Sequence, residues 1–203
     1  MRRVETHLTS PHPTDLIFDR VSLSFGDKQV LRELSFRVAA GGRLVLMGAS
    51  GGGKTSVLRL AAGLLAPSGG RIEGGGRVSV QFQEPRLLPW LTAAENINVV
   101  LSDRKKTLPT AIAWLERVDL VEAADLYPDE LSGGMAQRVA LCRALAAPAD
   151  VLLLDEPFRG LDEGTKQRVM EMVADSLGGR TLLLTTHDPA EAAFFSGDIL
   201  RIG

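Results

Sequence analysis

The chain is short of several features, and each shortage excludes a class of protein. It has one cysteine in 203 residues, so no disulfide can close within the chain and a reducing compartment fits. No apolar stretch reaches the roughly 20 residues that a membrane-spanning helix needs. Arg2 and Arg3 are not followed by an apolar run, so we expect no signal peptide. With 23 basic and 25 acidic side chains, the net charge of −2 gives no basic excess for nucleic acid.

The first residues differ in character from the rest of the chain. Residues 1–15 are polar and contain two prolines, which predicts a flexible N-terminal tail. His7 and His12 lie there, and we interpret them as solvated rather than as metal ligands. Residues 16–203 are expected to form the domain. Within it, residues 86–135 predict a mostly helical insert, with helical patterns around residues 108–118 and 121–126. Residues 104–106 are expected on a solvated face.

Apolar patterning predicts the fold class. Alternation in residues 21–25 and 34–38 predicts an antiparallel hairpin. Short runs at residues 44–47, 151–154 and 181–184, apolar except for Thr181, are typical of buried parallel strands. Helical patterns separate these runs, including one at residues 165–177. The sequence therefore predicts an α/β fold with a mainly parallel sheet and an N-terminal antiparallel β region.

A glycine-rich segment is the strongest local signal. Residues 48–55 read Gly-Ala-Ser-Gly-Gly-Gly-Lys-Thr and fit G-x-x-x-x-G-K-[ST], between a predicted strand and an apolar stripe at residues 57–65 that predicts a helix. Glycines let backbone N–H groups surround a polyphosphate, and the helix start adds its dipole. Lys54 would reach the β- and γ-phosphates and Thr55 would hold Mg²⁺. The alternative is an ordinary glycine-rich turn.

Two further motifs carry chemistry that complements this loop. Asp155 and Glu156 end a buried strand, at the sheet edge where α/β proteins bind ligands. Asp155 is expected to bind Mg²⁺, and Glu156 to orient and polarise an attacking water. Residues 131–134, Leu-Ser-Gly-Gly, precede a helix predicted from residue 137, which makes Ser132 part of a second anion site. A solvated strand end and an ordinary serine N-cap are the respective alternatives.

These motifs, with three more in order along the chain, resemble the ATP-binding subunits of ABC transporters over residues 16–203. Gln83 is similar to the Q-loop glutamine, residues 160–162 to the D-loop, and His187 to the switch histidine. Phe25 lies where the family keeps an aromatic side chain that stacks on adenine. The resemblance implies a P-loop NTPase core and two chains facing head to tail. Each ATP would lie between the phosphate loop of one chain and Ser132 of the other.

The resemblance also implies roles for individual residues. A buried core aromatic and a strand-end histidine satisfied by a neighbour remain the alternatives for Phe25 and His187. The implied catalytic residues are Glu156, His187 and Gln83, and the implied Mg²⁺ ligands are Thr55, Gln83 and Asp155. The implied ATP contacts are Phe25, Gly48, Ala49, Ser50, Gly51, Gly52, Gly53, Lys54, Thr55, Ser56, Ser132, Gly133 and Gly134.

The chain departs from the family pattern at three places. Met135 stands where the signature usually continues with glutamine, which removes a polar contact. The D-loop usually begins with Ser-Ala, and here it reads Arg159-Gly160, so communication between the two sites is left open. Phe25 replaces the usual tyrosine, which keeps stacking and loses the hydroxyl.

One segment narrows the branch of the family. Residues 83–92, Gln-Glu-Pro-Arg-Leu-Leu-Pro-Trp-Leu-Thr, resemble the Q-loop region of nitrate, sulfonate and taurine importers. Leu87, Leu88 and Trp90 would receive a short helix of the permease, or would form an ordinary part of the core.

The function that follows is a cytoplasmic, transport-coupled ATPase on the inner face of the cell membrane. It would work as a homodimer on separate permease subunits and, indirectly, with a solute-binding protein. The ATPase of a small exporter and a non-transport ABC ATPase are the alternatives. The short spacing between Lys54 and Asp155 leaves no room for the long coiled coil of a chromosome clamp.

Overall fold

A computed structural model describes residues 15–101, 107–195 and 197–202. Residues 1–14 of the expected tail, including His7 and His12, lie outside the described residues, as do the basic residues 104–106. The last residue of the expected tail, Asp15, is described. Its carboxylate accepts a hydrogen bond from the Ala40 N–H at 2.9 Å and pairs with Arg37. No helix among the described residues is long and apolar enough to cross a membrane.

The described residues alternate between strands and helices along most of the chain. The strands are β1 Leu16–Phe25, β2 Lys28–Val38, β3 Arg43–Met47, β4 Gly69–Glu73, β5 Val78–Gln81, β6 Val151–Asp155, β7 Thr181–Thr186 and β8 Asp198–Arg201. The helices are α1 Lys54–Ala61, α2 Ala93–Asn98, α3 Leu108–Glu116, α4 Gly133–Ala146, α5 Glu163–Asp175 and α6 Pro189–Phe194, with a 3₁₀ turn at Val121–Ala123.

The N-terminal strands form a three-stranded antiparallel sheet in the order β2-β1-β4. This confirms the predicted hairpin. The sequence analysis missed β4, because its glycines indicate a turn. The structure shows why one of them is a glycine: a Cβ on Gly70 would lie 2.2 Å from the carbonyl oxygen of Arg20, where β1 bulges.

The second sheet has five strands in the order β5-β6-β7-β3-β8, and every pair in it is parallel. This confirms the predicted α/β class. Its apolar strands alternate between two cores: Leu152 and Leu154 face α2 to α5, whereas Val151 and Leu153 face α1 and the antiparallel sheet. Burial on both faces explains the uninterrupted apolar runs. The register places Met47 beside Thr186 and Asp155 beside Thr185, so three strands end side by side.

Several helices differ from the predictions. α1 ends at Ala61, short of the predicted stripe, because Gly63 turns with φ of 68° and leaves Leu64 exposed. The predicted helix around residues 121–126 is only a 3₁₀ turn. α2 and α6 were missed because six residues are too few for a periodic pattern, although Thr92 and Glu95 form a capping box. α3, α4 and α5 are confirmed within a few residues at each end.

Candidate active site

The glycine-rich loop leaves the end of β3 and closes around a lysine. Lys54 is the first residue of α1, and its Nζ donates to the carbonyl oxygens of Gly48 at 2.8 Å and Ala49 at 2.9 Å. Gly53 caps the helix in the left-handed region with φ of 98°, a conformation that glycine adopts without strain. The ammonium group is therefore held inside the loop, largely out of solvent.

Two hydroxyl groups hold the carboxylate at the end of β6. Thr55 Oγ1 donates to Asp155 Oδ2 at 2.8 Å, and Thr185 Oγ1 donates to Asp155 Oδ1 at 2.6 Å. Asp155 is almost fully buried. Thr185 was not predicted to be a site residue, because its sequence signal is only that it directly follows the apolar run of residues 182–184.

A hydroxyl and a carboxylate in contact fit a magnesium ion. Mg²⁺ takes oxygen ligands, is held in proteins by one or two carboxylates, and fills its shell with water and phosphate oxygens. Thr55 and Asp155 offer one oxygen each at the point where the phosphate loop opens. Groups of three or more His, Cys, Asp or Glu arranged to hold a metal are absent from the described part of the chain.

Glu156 is fixed by its backbone and approached by three side chains. Its φ of 47° is unusual for a residue other than glycine, and its N–H donates to the carbonyl and the hydroxyl of Thr185. The carboxylate is 3.5 Å from Gln83 Nε2, 3.7 Å from His187 Nδ1 and 3.5 Å from an Arg159 guanidinium nitrogen. The structure therefore brings together the three residues that the resemblance implied to be catalytic.

A cleft of about 330 Å³ joins these groups to the loop. Phe25, at the end of β1, is 52% exposed beside it, so its ring is not a core side chain. Lys28 and Val30 also line the cleft, and sequence reasoning did not find them. A larger hollow of about 700 Å³ beside α4 has none of the phosphate-binding glycines. The cleft is lined by Phe25, Lys28, Val30, Ser50, Gly51, Gly53, Lys54, Thr55, Ser56, Gln83 and Glu156.

The second predicted anion site lies apart from this cleft in the same chain. Ser132 is the N-cap of α4, and its Oγ accepts a hydrogen bond from the Met135 N–H at 3.3 Å. Ser132 and Gly133 are exposed, and neither lines the cleft. The helix end is thus open to a group from outside the chain.

A buried amide holds part of the segment after Gln83, whose first carbonyls also accept hydrogen bonds from Arg143. Asn96 Nδ2 donates to the carbonyl oxygens of Leu88, Leu91 and Thr92, and Asn96 Oδ1 accepts from the Leu88 N–H. Leu87 packs against the core, whereas Trp90 is 69% exposed. The core alternative therefore holds for Leu87, whereas Trp90 is not a core side chain.

A phosphate loop after one strand of a parallel sheet, with a carboxylate pair at the end of β6 in the same sheet, defines a P-loop nucleotide-binding protein. The family described as ABC transporter matches residues 31–159. The chain belongs to that family, which confirms the predicted membership, and it is accordingly an ATP-binding ATPase.

The relatives narrow the comparison further. The chain is 42% identical over 183 residues to the aliphatic sulfonates import ATP-binding protein SsuB of Granulibacter bethesdensis, covering 89% of this chain and 76% of that one. It is 40% identical to an SsuB protein of Nocardia farcinica, covering 90% and 76%.

Solved structures agree in fold. A dimeric ATP-binding cassette, MJ0796, in a post-hydrolysis state with ADP and Pi matches with a TM-score of 0.82 and 26% identity, covering 92% of this chain and 94% of that one. A bacterial Atm1-family ABC exporter with ATP bound has the same TM-score and identity, but this chain covers only 37% of it.

Proposed function

We propose that this chain is the ATP-hydrolysing subunit of an importer, acting on a separate membrane permease. The observation that carries the proposal is the meeting of Lys54, Thr55, Asp155 and Glu156 at one edge of the parallel sheet. The importer assignment is supported by relatives named for aliphatic sulfonate import. These relatives are about 40% identical, whereas the exporter is 26% identical, so an exporter ATPase is disfavoured.

ATP binding would use groups that are already in position. The loop would donate backbone N–H groups, and the Lys54 side chain, held by two loop carbonyls, would face the phosphates. The exposed ring of Phe25 would stack on the adenine at the other end of the cleft. The remaining contacts in this chain would come from Gly48, Ala49, Ser50, Gly51, Gly52, Gly53, Thr55 and Ser56.

Mg²⁺ would be held by Thr55 and Asp155, with Gln83 as a third oxygen ligand. When bound, the ion neutralises charge on the phosphate oxygens. The chain's own contribution is to fix the carboxylate: two hydroxyl groups bond Asp155, so both of its oxygens are oriented before any ligand arrives.

Hydrolysis would depend on the carboxylate of Glu156. It is positioned to orient a water molecule and to accept its proton. The unusual backbone at Glu156 and the two bonds to Thr185 hold this carboxylate at the strand end. His187 and Gln83, which both approach Glu156, would contact the γ-phosphate and the water, respectively.

A second copy of the chain would complete each site. Ser132, Gly133 and Gly134 at the exposed start of α4 would contact the γ-phosphate bound by the partner, because an open helix N-terminus binds anions. The dimeric ATP-binding cassettes among the similar structures support this assembly.

The importer assignment also sets the place and the other partners. The exposed Trp90, beside Leu88, would contact a short permease helix at the inner face of the cell membrane. The permease, in turn, would receive its solute from a binding protein.

The test is ATP binding by the full chain, measured by calorimetry. Lys54→Ala is expected to lose binding, because the loop loses the ammonium that faces the phosphates. Arg32→Ala, which removes an exposed positive charge outside the cleft, is the matched control and should bind normally. Unchanged affinity in Lys54→Ala would show that the loop is not the phosphate site.

A further inference from the structure

The orientation of His187 is set by the residues next to it in the chain rather than by contacts of its own side chain. The imidazole is 66% exposed, and its Nδ1 lies 3.7 Å from Glu156 Oε1. The residues on either side of it are firmly held. Thr186 and Asp188 bond to each other, because the Asp188 N–H donates to Thr186 Oγ1 at 3.0 Å. The direction of the imidazole therefore depends on what holds this short segment.

A lysine from α5 holds it. Lys166 Nζ donates to Asp188 Oδ2 and lies 3.3 Å from Glu191 Oε1. The other oxygen of Glu191 accepts a hydrogen bond from Thr186 Oγ1, and Asp188 Oδ1 caps α6 through the Ala190 N–H at 2.8 Å. One ammonium group thus connects both residues that flank His187.

The cluster is largely shielded from solvent. The side chain of Lys166 is 13% exposed and that of Glu191 is 9% exposed. The hydrogen bond to Asp188 raises the pKa of Lys166, and the same bond lowers the pKa of Asp188, so both stay charged near neutral pH. Without the ammonium, two carboxylates would face each other with no countercharge, and the segment would have to move.

α5 also links this cluster to the other side of the site. The helix begins at its N-cap Asp162, in the segment that resembles the D-loop and follows Glu156. Lys166 lies in the first turns of that helix, so it ties the chain after Glu156 to the chain around His187. Glu156 and His187, which lie 3.7 Å apart, are therefore connected through α5 and Lys166.

We propose that Lys166 is a positioning residue for ATP hydrolysis. By contacting both Asp188 and Glu191, it fixes the Thr186–Asp188 backbone and so directs His187 toward Glu156. The inference rests on the proposed function. Lys166 touches neither the cleft nor the phosphate loop, so its loss should affect turnover and leave nucleotide binding unchanged.

The first experiment compares kinetics of the full-length chain. Lys166→Met should lower kcat about tenfold, as misplacement of a catalytic group does, and leave KM for ATP nearly unchanged. Lys166→Arg, which can bond both carboxylates, should restore most of the rate. Arg168→Met, on the same helix as Lys166, is the matched control. It breaks an exposed ion pair with Asp119 and should leave kcat unchanged.

A double-mutant cycle separates positioning from general destabilisation. In a His187→Ala background, Lys166→Met should have almost no further effect on kcat, because no imidazole remains to be aimed. An equal loss in both backgrounds would overturn the inference. If Lys166→Met does not fold, Glu191→Gln replaces it, with a smaller loss of rate and the same dependence on His187.

A second readout does not require hydrolysis. The chain has three histidines, so the His187 imidazole resonance can be assigned by comparison with His187→Ala. Lys166→Met should shift this resonance, and Arg168→Met should not. An unchanged His187 resonance would contradict the inference even in active protein. Absence of hydrolysis in the wild type would count against the proposed function, and the resonance would still decide the role of Lys166.

Discussion

Thr55 donates a hydrogen bond to Asp155 over 2.8 Å, although the two residues are 100 positions apart in the chain. The bond joins the first turn of the helix after the phosphate loop to the end of β6. It brings a hydroxyl oxygen and a carboxylate oxygen together at the mouth of the cleft, where the proposed magnesium ion would lie.

Thr55→Ala should therefore reduce the extent to which Mg²⁺ strengthens ATP binding. The affinity for ATP without Mg²⁺ should change less. The substitution removes one oxygen ligand and frees one Asp155 oxygen, while Lys54 and the loop glycines remain. Calorimetric titrations with ATP, with and without Mg²⁺, measure both affinities. Thr55→Ser, which keeps the hydroxyl, is the control. An equal loss of affinity with and without Mg²⁺ would place Thr55 outside the metal site.

Gly48→Ala should destabilise the fold at the start of the loop. A Cβ there would lie 2.0 Å from the carbonyl oxygen of Ile202, and the φ of 154° is rare for residues with a side chain. We expect a loss of about 3 kcal/mol in the free energy of unfolding, measured by urea denaturation. Gly133→Ala is the control: a Cβ there meets nothing within 4 Å, and the change should be below about 0.5 kcal/mol. Equal stability of the two variants would contradict the tight approach at Gly48.

Ser132→Arg should abolish hydrolysis and ATP-driven dimerisation while leaving ATP binding by the monomer intact. The larger side chain would occupy the exposed start of α4, and the phosphate loop is not touched. Gel filtration with ATP and calorimetry measure the two properties. Mixing Ser132→Arg with Lys54→Ala forms one intact site per mixed dimer, so activity that rises with protein concentration would support a shared site. Wild-type hydrolysis by Ser132→Arg, independent of dilution, would contradict it.

The local motifs could be predicted from sequence because each one carries its chemistry in adjacent residues. The glycines before Lys54 identify the phosphate loop, and the apolar run before Asp155 identifies the strand end that carries this carboxylate. Thr185 could not be found this way, because its value comes from the register that places it beside Asp155. Lys166 and Asp188 are likewise 22 residues apart and meet only in the folded chain.

The fold shows the same division. Strands buried on both faces were predicted, because their apolar runs are continuous. β4 and β8 were missed: one is rich in glycine, and the other keeps an exposed, mixed pattern at the sheet edge. β4 and β8 are edge strands that are defined by their partners more than by their own residues, which is why patterning alone did not identify these two.

The central claim is that Glu156 drives hydrolysis of ATP bound by the phosphate loop. Its carboxylate lies in the cleft within 4 Å of Gln83, Arg159 and His187. Glu156→Gln keeps the shape of the side chain and loses its ability to take a proton. The most direct measurement is hydrolysis of radiolabelled ATP by this variant, beside its ATP affinity. We predict normal affinity, an ATP-bound dimer on gel filtration, and turnover slowed at least about a hundredfold. Near-normal turnover by Glu156→Gln would contradict the account.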